Sequence, residues 1–453
     1  MSIAKNVFDI LCASGRLQSG ELLQRLSVSR PSLMRAVGDL GGQIITRGRA
    51  RRTAYAARRS IRGNATPLTL FRIDESGGSH EVGFLESIYP NGCAINFSEE
   101  LPWPLNEDMT DGWFHEVPYP LGDMRPQGFL GRSFAHKFAA IFQVGEDVKC
   151  WTEDDVLHVS SIIGWDLPGN YILGESALRR FLEEQQKGRY FLSDDEIEVE
   201  YPRLAQQALN FEVSDSPVGG EFPKFTVGRL VDGLPKHVIV KFSGAQASPQ
   251  EQRWSDLLIC EHLALTTIAD TLHLSASESR IYQIAGRTFY EVERFDRHGK
   301  FGRSGVCTWQ ELNAALFGVK GSWSEGAEAL LAVGHISSET ARQINTLELF
   351  GRLIANTDMH DGNLSFLPAL SLSPAYDMLP MLYAPQRGVE LVARSFSPTL
   401  PIPKERNAWL QAAEAALIFW RRTELDERIS IGFRSIGKDN ADKIERMLVA
   451  QRD

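Results

Sequence analysis

The segment 218–377 constrains the fold more than any other part of the 453-residue chain. It begins with a glycine-containing turn at 218–225 and continues with the apolar, strand-like run 238–242, in which Lys241 carries the only charge. A buried ammonium group is costly unless an anion compensates it, so this position predicts an anionic partner such as a phosphate. A lysine on an edge strand that reaches solvent is the alternative for this residue taken alone.

The polar sequence at 356–366 supplies the next part of the pattern. Asp358 and Asn363 have the D-x-x-x-x-N spacing of a kinase catalytic loop, in which the acid orients and deprotonates a hydroxyl and the amide oxygen binds Mg²⁺. Asp377 follows Asn363 by fourteen residues, where a second magnesium-binding carboxylate is expected. Hard oxygen donors on short loops suit Mg²⁺, which shares the phosphates of its substrate. The ordered set therefore predicts a phosphoryl-transfer site that uses ATP and Mg²⁺, although each acid alone is also typical of a helix cap.

The turn at 218–225 is the weakest member of this set. Backbone N–H groups of Gly219 and Gly220 could cradle phosphate oxygens beside Lys224. The turn matches neither the P-loop pattern nor a complete GxGxxG, so it gains meaning only from the lysine and the acids that follow it.

These residues resemble the HipA family of serine/threonine kinase toxins, and most closely its stand-alone YjjJ (HipH) branch. The most specific motifs are 357–366 and 293–297. The matching segments are 125–132, 151–173, 218–225, 240–241, 292–297, 357–366 and 376–377. The resemblance covers roughly residues 66–450 and implies a two-lobed, protein-kinase-like (HipA/PI3K-like) body with a helical C-terminal lobe.

The resemblance implies a role for each matching residue. Gly219 to Lys224 would form the phosphate loop, Lys241 would contact the α- and β-phosphates, and Asp358 would be the catalytic base. The residues implied to line the nucleotide and metal site are Glu293, Arg294, Phe295, His360, Asn363, Tyr376 and Asp377. Of these, Asn363 and Asp377 would bind the metal, and the backbone of 293–295 would be the hinge that reads adenine. Asp256 and Glu261, five positions apart on the helix after Lys241, stay open as alternatives for the acid that pairs with this lysine.

Two departures from the family pattern carry consequences. The position of the family's autophosphorylated serine is Pro217 here, with Ser214 and Ser216 nearby, so self-inactivation by that route stays open. The family toxin usually meets DNA through a separate antitoxin. This chain has a candidate DNA-binding unit of its own, so a separate antitoxin is not required.

Charge is distributed unevenly along the chain. The total net charge is −10, yet residues 1–65 contain twelve Lys or Arg against Asp9, Glu21 and Asp39, a net charge of +9. The remaining 388 residues carry 36 basic and 55 acidic side chains, a net charge of −19. The two regions are therefore expected to face different partners, with nucleic acid as the partner of the basic one.

The pattern of residues 1–65 is typical of a winged helix-turn-helix domain. Apolar spacing predicts three short helices, the last starting near Ser29, and two strands then flank an arginine-rich tip at 47–52. Arginine suits such a tip because its fork grips phosphates or enters a narrow minor groove. The residues expected to contact DNA are Ser32 and Arg35, from helix phase, and Arg47, Arg49, Arg51 and Arg52 of the tip. A small helical bundle with a solvated basic loop is the alternative.

The expected organisation is α+β and multidomain. It comprises a winged helix-turn-helix at 1–65, a small mixed α/β subdomain at 66–200, a kinase N-lobe at 201–300 and a helical C-lobe at 301–453. The charged stretch 183–203 is expected to be a solvated connector. The five widely spaced cysteines, the N-terminal sequence and the lack of an apolar run of ~18–20 residues predict a cytoplasmic protein with no membrane contact.

Two functions follow from this pattern. The first is a toxin kinase that phosphorylates Ser or Thr of a protein, which in the family is a translation protein such as an aminoacyl-tRNA synthetase, with residues 1–65 binding DNA for autoregulation. The alternative is a DNA-binding transcriptional regulator whose kinase-like body acts as a catalytically weak sensor. Either function is compatible with a homodimer.

Overall fold

A computed structural model of the chain describes residues 2–210, 221–386, 391 and 393–452. Residues 2–65 contain three helices followed by a strand pair, in the order that the sequence predicts. The elements are α1 (Ile3–Ser14), β1 (Leu17–Gln18), α2 (Ser19–Leu26), α3 (Arg30–Leu40), β2 (Ile44–Arg47) and β3 (Ala54–Ala57). The hydroxyls of Ser2 and Ser29 accept hydrogen bonds from the first turns of α1 and α3, as serine N-caps do. The antiparallel sheet has the strand order β1-β3-β2.

A second, larger antiparallel sheet forms the centre of the middle segment, with the strand order β7-β6-β5-β4-β8. Its elements are β4 (Leu68–Ile73), β5 (Ser79–Ser87), β6 (Cys93–Phe97), α4 (Glu107–Thr110), β7 (Trp113–Phe114), α5 (Gly128–Phe142), α6 (Glu153–Ile163), β8 (Tyr171–Leu173) and α7 (Glu175–Lys187). A capping box at Thr152 and Asp155 starts α6.

The first 65 residues are docked on the middle sheet rather than held by a free linker. The backbone N–H of Arg59 donates to Ser87 O (2.8 Å), and that of Tyr89 donates to Ala57 O (2.9 Å). The carboxylate of Glu86 is buried between the guanidinium groups of Arg47, at 2.7 Å, and Arg58. An apolar cluster crosses the same boundary and contains Ile45, Ala54, Ala56, Ile88, Ala94 and Trp113.

The next unit is a four-stranded antiparallel sheet with the order β11-β12-β10-β9. Its elements are α8 (Ile197–Leu209), β9 (Lys224–Val231), β10 (Leu234–Phe242), α9 (Pro249–Thr267), β11 (Ser279–Ile284) and β12 (Arg287–Glu293). Helix α8 runs across the expected boundary at residue 200, because Tyr201 and Ala205 are buried against the sheet. The stretch expected to be a solvated connector is therefore largely helical, with one apolar face in the core.

The C-terminal part is mainly helical in the residues described. Its elements are β13 (Arg297–His298), β14 (Gly302–Arg303), β15 (Cys307–Thr308), α10 (Trp309–Leu316), α11 (Trp323–Ala332), α12 (Ser338–Leu353), β16 (Ser365–Leu367), β17 (Ser371–Leu372), α13 (Arg406–Leu425) and α14 (Ile431–Arg452). The large core extends from this part through α9 to the middle sheet, so the segments share one apolar interior. Among the described residues, no helix has the length and apolar character needed to cross a membrane.

The buried position of Glu86 makes a prediction about domain docking. Glu86→Gln removes the carboxylate charge between Arg47 and Arg58, each about one-quarter exposed, and so takes from both guanidinium groups the counter-charge that the described residues give them. We expect the free energy of unfolding to fall by about 1–3 kcal/mol, measured by urea denaturation. Glu81→Gln, at an exposed position of the same strand, is the matched control. Equal losses in the two variants would contradict an electrostatic docking contact.

Candidate active site

Lys241 lies at the centre of a buried ion cluster. Strand β10 places its Nζ 2.8 and 2.9 Å from the two carboxylate oxygens of Glu261 on α9. Asp256 instead accepts hydrogen bonds from the N–H (2.8 Å) and hydroxyl (2.6 Å) of Ser430. Of the two alternatives that the sequence leaves open, Glu261 is therefore the partner of Lys241.

A second carboxylate completes the cluster. Oδ1 of Asp377 lies 2.5 Å from the Nζ of Lys241. The backbone of Asp377 has a φ of +57°, a left-handed conformation that a non-glycine residue adopts only when its surroundings hold it there. The loop after β17 thus meets β10 and α9 at one ammonium group.

The cluster also sets the ionisation of its members. Burial disfavours the charged form of Lys241, but the carboxylates of Asp377 and Glu261 outweigh it and raise the lysine pKa. Burial acts against the carboxylate of Asp377, yet Lys241 and then Lys224 lower the pKa of this acid. Burial raises the pKa of Glu261, an effect that Lys241 only partly offsets. The site therefore holds a permanent cation beside an ionised Asp377.

The loop that contains Asp358 is shaped by two asparagines. The backbone N–H of Asp358 donates to Oδ1 of Asn356 (3.0 Å), and Nδ2 of Asn363 donates to the carbonyl of Asp358 (2.9 Å). These bonds fix the loop at both ends of the predicted motif and leave the side chain of Asp358 exposed. Asn363 is buried, and the N–H of Gly362 donates to Nδ1 of His360 (3.1 Å).

Tyr376 joins the hinge segment to this loop. Its hydroxyl donates to the carbonyl of Gly362 (2.8 Å) and lies 2.5 Å from the hydroxyl of Ser365. Its ring centre is 5.7 Å from that of Phe295. Burial raises the pKa of Tyr376, so the hydroxyl stays protonated and serves as a structural donor.

The side chains of Glu293 and Arg294 are committed to ion pairs. Glu293 bonds Lys236 at 2.8 Å and Arg280 at 3.2 Å, and Arg294 bonds Asp296 at 2.8 Å. Their backbone N–H groups donate to the carbonyls of Glu278 and His237, each at 2.9 Å. These two residues therefore have little bonding capacity left for a ligand, apart from their carbonyl oxygens.

A cleft of about 840 Å³ brings most of the predicted residues together. The predicted residues in its lining are Lys224, Lys241, Glu293, Arg294, Phe295, His360, Tyr376 and Asp377. Asp358 and Asn363, both described, lie on the loop beside the cleft and outside its lining. Gly219 and Gly220, together with Ser214, Ser216 and Pro217, lie outside the described residues.

The donor set fits a phosphate-bound Mg²⁺ rather than a cage built from protein alone. Among the described residues, no group of three His, Cys, Asp or Glu side chains could enclose a metal. Asp377 and Asn363 instead offer one carboxylate and one amide oxygen, and Mg²⁺ typically takes few protein ligands together with phosphates and water. The ammonium groups of Lys241 and Lys224 on the cleft wall suit those phosphates.

Comparison with known proteins identifies the family. A family model described as YjjJ-like toxin, middle domain, matches residues 64–182, and one described as HipA-like C-terminal domain matches residues 216–438. Toxin YjjJ of Escherichia coli (strain K12) is 34% identical over 441 residues, which cover 96% of this chain and 97% of that protein. The chain belongs to the YjjJ-like toxin family.

The fold comparison agrees with this assignment. A chain of the solved complex of the Shewanella oneidensis MR-1 toxin–antitoxin system HipA, HipB and its operator DNA matches with a TM-score of 0.50 and 14% identity. The match covers 84% of this chain and 97% of that one. It shows a shared fold, and the resemblance inferred from the sequence motifs is confirmed: the protein is a HipA-like toxin.

One wall of the cleft in this YjjJ-like toxin comes from residues that motif spacing did not indicate. The middle segment contributes to the lining Asp123, Arg125, Phe134, Lys137, Phe138, Trp165 and Arg180. Glu221 ties this wall to the start of β9, because its carboxylate accepts from the N–H of Phe129 (2.9 Å) and pairs with Arg132 (3.2 Å) and Lys224 (2.9 Å). These residues are far from the loop 356–366 in sequence. Arg125 and Trp165 lie in segments that match the family, whereas no local pattern marks the other five.

The residues predicted to contact DNA fall into two groups. Arg47 pairs with Glu86 at 2.7 Å and Arg52 with Asp111 at 3.0 Å, so both guanidinium groups bind carboxylates of the middle segment. Arg49 and Arg51 are exposed. On α3, Arg35 is exposed, whereas the hydroxyl of Ser32 is partly buried and lies 2.9 Å from that of Ser29.

Asp123 gives the cleft a pH-dependent group. Its carboxylate accepts from the N–H (2.7 Å) and hydroxyl (2.9 Å) of Thr308, but burial raises its pKa to about 7. An unfolded Asp has a pKa of about 4, so the folded chain holds the extra proton between these values. The stability gained from this protonation is complete below about pH 4 and is lost as the pH rises through 7.

Asp123→Asn should remove this dependence and keep an oxygen acceptor for Thr308. Between pH 5 and pH 8 we expect the variant to gain about 2 kcal/mol of unfolding free energy relative to the natural chain. Urea denaturation at the two pH values measures the difference. A constant difference would show that the pKa of Asp123 is not raised.

Proposed function

We propose that this HipA-like toxin is an ATP- and Mg²⁺-dependent protein kinase that phosphorylates a Ser or Thr hydroxyl. The cluster of Lys241, Glu261 and Asp377 carries the proposal. It supplies a fixed cation for phosphate oxygens and an ionised carboxylate for a metal, and both groups face the same cleft. Membership of the YjjJ-like toxin family supports the proposal.

Each basic group would have a distinct task. Lys241, held by Glu261, would bind the α- and β-phosphates, since its charge is fixed in position and cannot be lost near neutral pH. Lys224 would stabilise the transferred phosphoryl group, together with the backbone of Gly219 and Gly220. In such a site Asp377 and Asn363 would hold Mg²⁺, and ATP with its metal supplies the phosphoryl group.

Asp358 would act as the catalytic base. Its side chain is exposed beside the cleft, where a protein hydroxyl can reach it, and Asn356 and Asn363 hold its backbone. The carboxylate would take the proton of the Ser or Thr hydroxyl as the hydroxyl oxygen bonds to phosphorus and the bond from phosphorus to the ADP oxygen breaks.

The adenine would lie against the segment 293–295. The N–H groups of Glu293 and Arg294 already have partners, so the backbone of Phe295 is the better candidate for reading the base. The ring of Phe295, packed beside Tyr376, would offer an apolar surface to the purine. His360, on the predicted catalytic loop, lines the same cleft, and its ring would face the nucleotide.

Asp358→Ala tests the kinase directly. We expect phosphoryl transfer from labelled ATP to protein to fall by about 100-fold or more, because a positioned base contributes on this scale. ATP affinity, measured by calorimetry, should stay close to that of the natural chain, since Asp358 is outside the cleft lining. Asp439→Ala, an exposed acid on α14, is the control. If the natural chain and Asp358→Ala transfer phosphate equally poorly, the kinase proposal fails.

We further propose that residues 1–65 bind DNA as a winged helix-turn-helix. The supporting observation is that basic groups remain exposed after the domain has docked: Arg30 and Arg35 on α3, and Arg49 and Arg51 between β2 and β3. Helix α3 would enter the major groove and the β2–β3 connection would grip the backbone. A DNA-binding unit in the same chain would make a separate antitoxin unnecessary.

Two of the tip arginines are paired with carboxylates and two are not, so DNA binding can be tested with one pair as the control for the other. Each phosphate contact contributes about 0.9 to the slope of log affinity against log salt concentration. Arg49→Ala with Arg51→Ala should therefore lower the slope by about 2 in a DNA titration. Arg47→Ala with Arg52→Ala should lower the slope less, because these two side chains already form ion pairs with Glu86 and Asp111. An unchanged slope in both double variants would count against a DNA-contacting tip.

A further inference from the structure

The wall that the middle segment adds to the cleft combines aromatic and basic side chains. Phe134 and Phe138, one turn apart on α5, have ring centres 5.0 Å from each other. The Nζ of Lys137 lies 5.2 Å from the ring centre of Phe138. Trp165 and Arg180 extend the same wall. The result is a broad apolar surface with cationic groups at its rim.

Among the described residues, two cations of this wall have no carboxylate partner. In the part of the chain that the structure describes, Lys137 and Arg180 are exposed and have no carboxylate within ion-pair distance. Arg125 donates to the carbonyl of Trp151, at 3.3 Å. By contrast, Asp166, the ionised acid of the wall, pairs with Arg189 and Arg297 at 3.2 Å. The unpaired cations Lys137 and Arg180 therefore line the cleft within a body whose net charge is negative.

The position of the wall relates it to the transferred group. The first turn of α5 lies against Glu221, whose carboxylate accepts from the N–H of Phe129 and pairs with Lys224 on the cleft wall. A substrate polypeptide bound along α5 toward Glu221 would bring its hydroxyl side chain to Lys224 and Lys241. The nucleotide phosphates have their own cations in these two lysines, so Lys137 and Arg180 are left for a different ligand.

From this arrangement we propose that the wall of Phe134, Lys137, Phe138, Trp165 and Arg180 binds an acidic segment of the protein substrate. Carboxylates of the segment would pair with Lys137 and Arg180, and its apolar side chains would lie on the aromatic rings. The inference rests on the proposed kinase function and adds the substrate class: a hydroxyl residue flanked by Asp or Glu.

Direct binding tests this without requiring catalysis. The probes are two short synthetic peptides of equal length, with a central serine flanked by glutamates in one and by lysines in the other. Calorimetry in the presence of a non-hydrolysable ATP analogue gives their affinities. We expect the acidic peptide to bind the natural chain and the basic peptide to bind at least about tenfold more weakly.

Two charge-matched double variants locate the contact. Lys137→Glu with Arg180→Glu reverses the charge of the wall and should weaken the acidic peptide by about tenfold or more. Lys149→Glu with Arg179→Glu makes the same change in net charge at exposed positions outside the cleft lining, and should leave the affinity unchanged. The affinity for the ATP analogue should be the same in all three proteins.

Three results would overturn the inference. They are equal weakening by both double variants, no preference for the acidic peptide, and tighter binding of a single-stranded RNA that is lost in Lys137→Glu with Arg180→Glu. The last result would assign the wall to nucleic acid. Failure of the kinase proposal is a separate outcome, since it would appear as absent phosphoryl transfer while the acidic peptide still binds.

Discussion

The ammonium group of Lys241 is the point on which the site depends. It is buried in an apolar strand, where an unpaired charge would be prohibitively costly, so both Glu261 and Asp377 are drawn to it. One comes from a helix and the other from a loop more than a hundred residues later, and the contact therefore joins three distant segments. Removing either acid would leave the ammonium group with a single carboxylate partner. The same physical demand that assembles the cluster also prepares it for phosphate, which can share the cation.

A second buried charge network holds the middle segment against the segment after β12. Arg297 donates to Asp296 (2.7 Å) and to the carbonyls of Gly169 (2.9 Å) and Leu167 (2.7 Å), and Asp296 accepts from the N–H of Gly169 (2.9 Å). Because these groups are desolvated, each must keep its partners. The loop before β8 is thereby fixed to the segment that follows β12. This is why the middle segment can form one wall of the cleft rather than a separate domain beside it.

Charge also organises the N-terminal unit. Its net charge of +9 suggests a surface that binds an anionic polymer, but some of its arginines form ion pairs within the chain. Glu86 forms ion pairs with Arg47 and Arg58, and Asp111 forms one with Arg52. These specific pairs dock the basic unit on the acidic body. The arginines left exposed are the ones available to an external partner. The orientation of the unit relative to the cleft is set by the same contacts.

The motifs of the site could be predicted from the sequence because their chemistry needs fixed spacing within one loop or strand. Asp358 and Asn363 are five positions apart, and a lysine in an apolar strand indicates a compensating anion wherever that anion comes from. The partner of Lys241 could not be predicted from the sequence, because Asp256 and Glu261 both lie on the helix and only packing decides which face of the helix meets the strand. The wall around Lys137 was equally hidden. Sequence by itself determined the family and the division of charge, and it predicted the motifs of the candidate site. Tertiary structure decided the ion partners and the wall that the middle segment adds to the cleft, because desolvated charges select their partners by distance in space and not by separation along the chain.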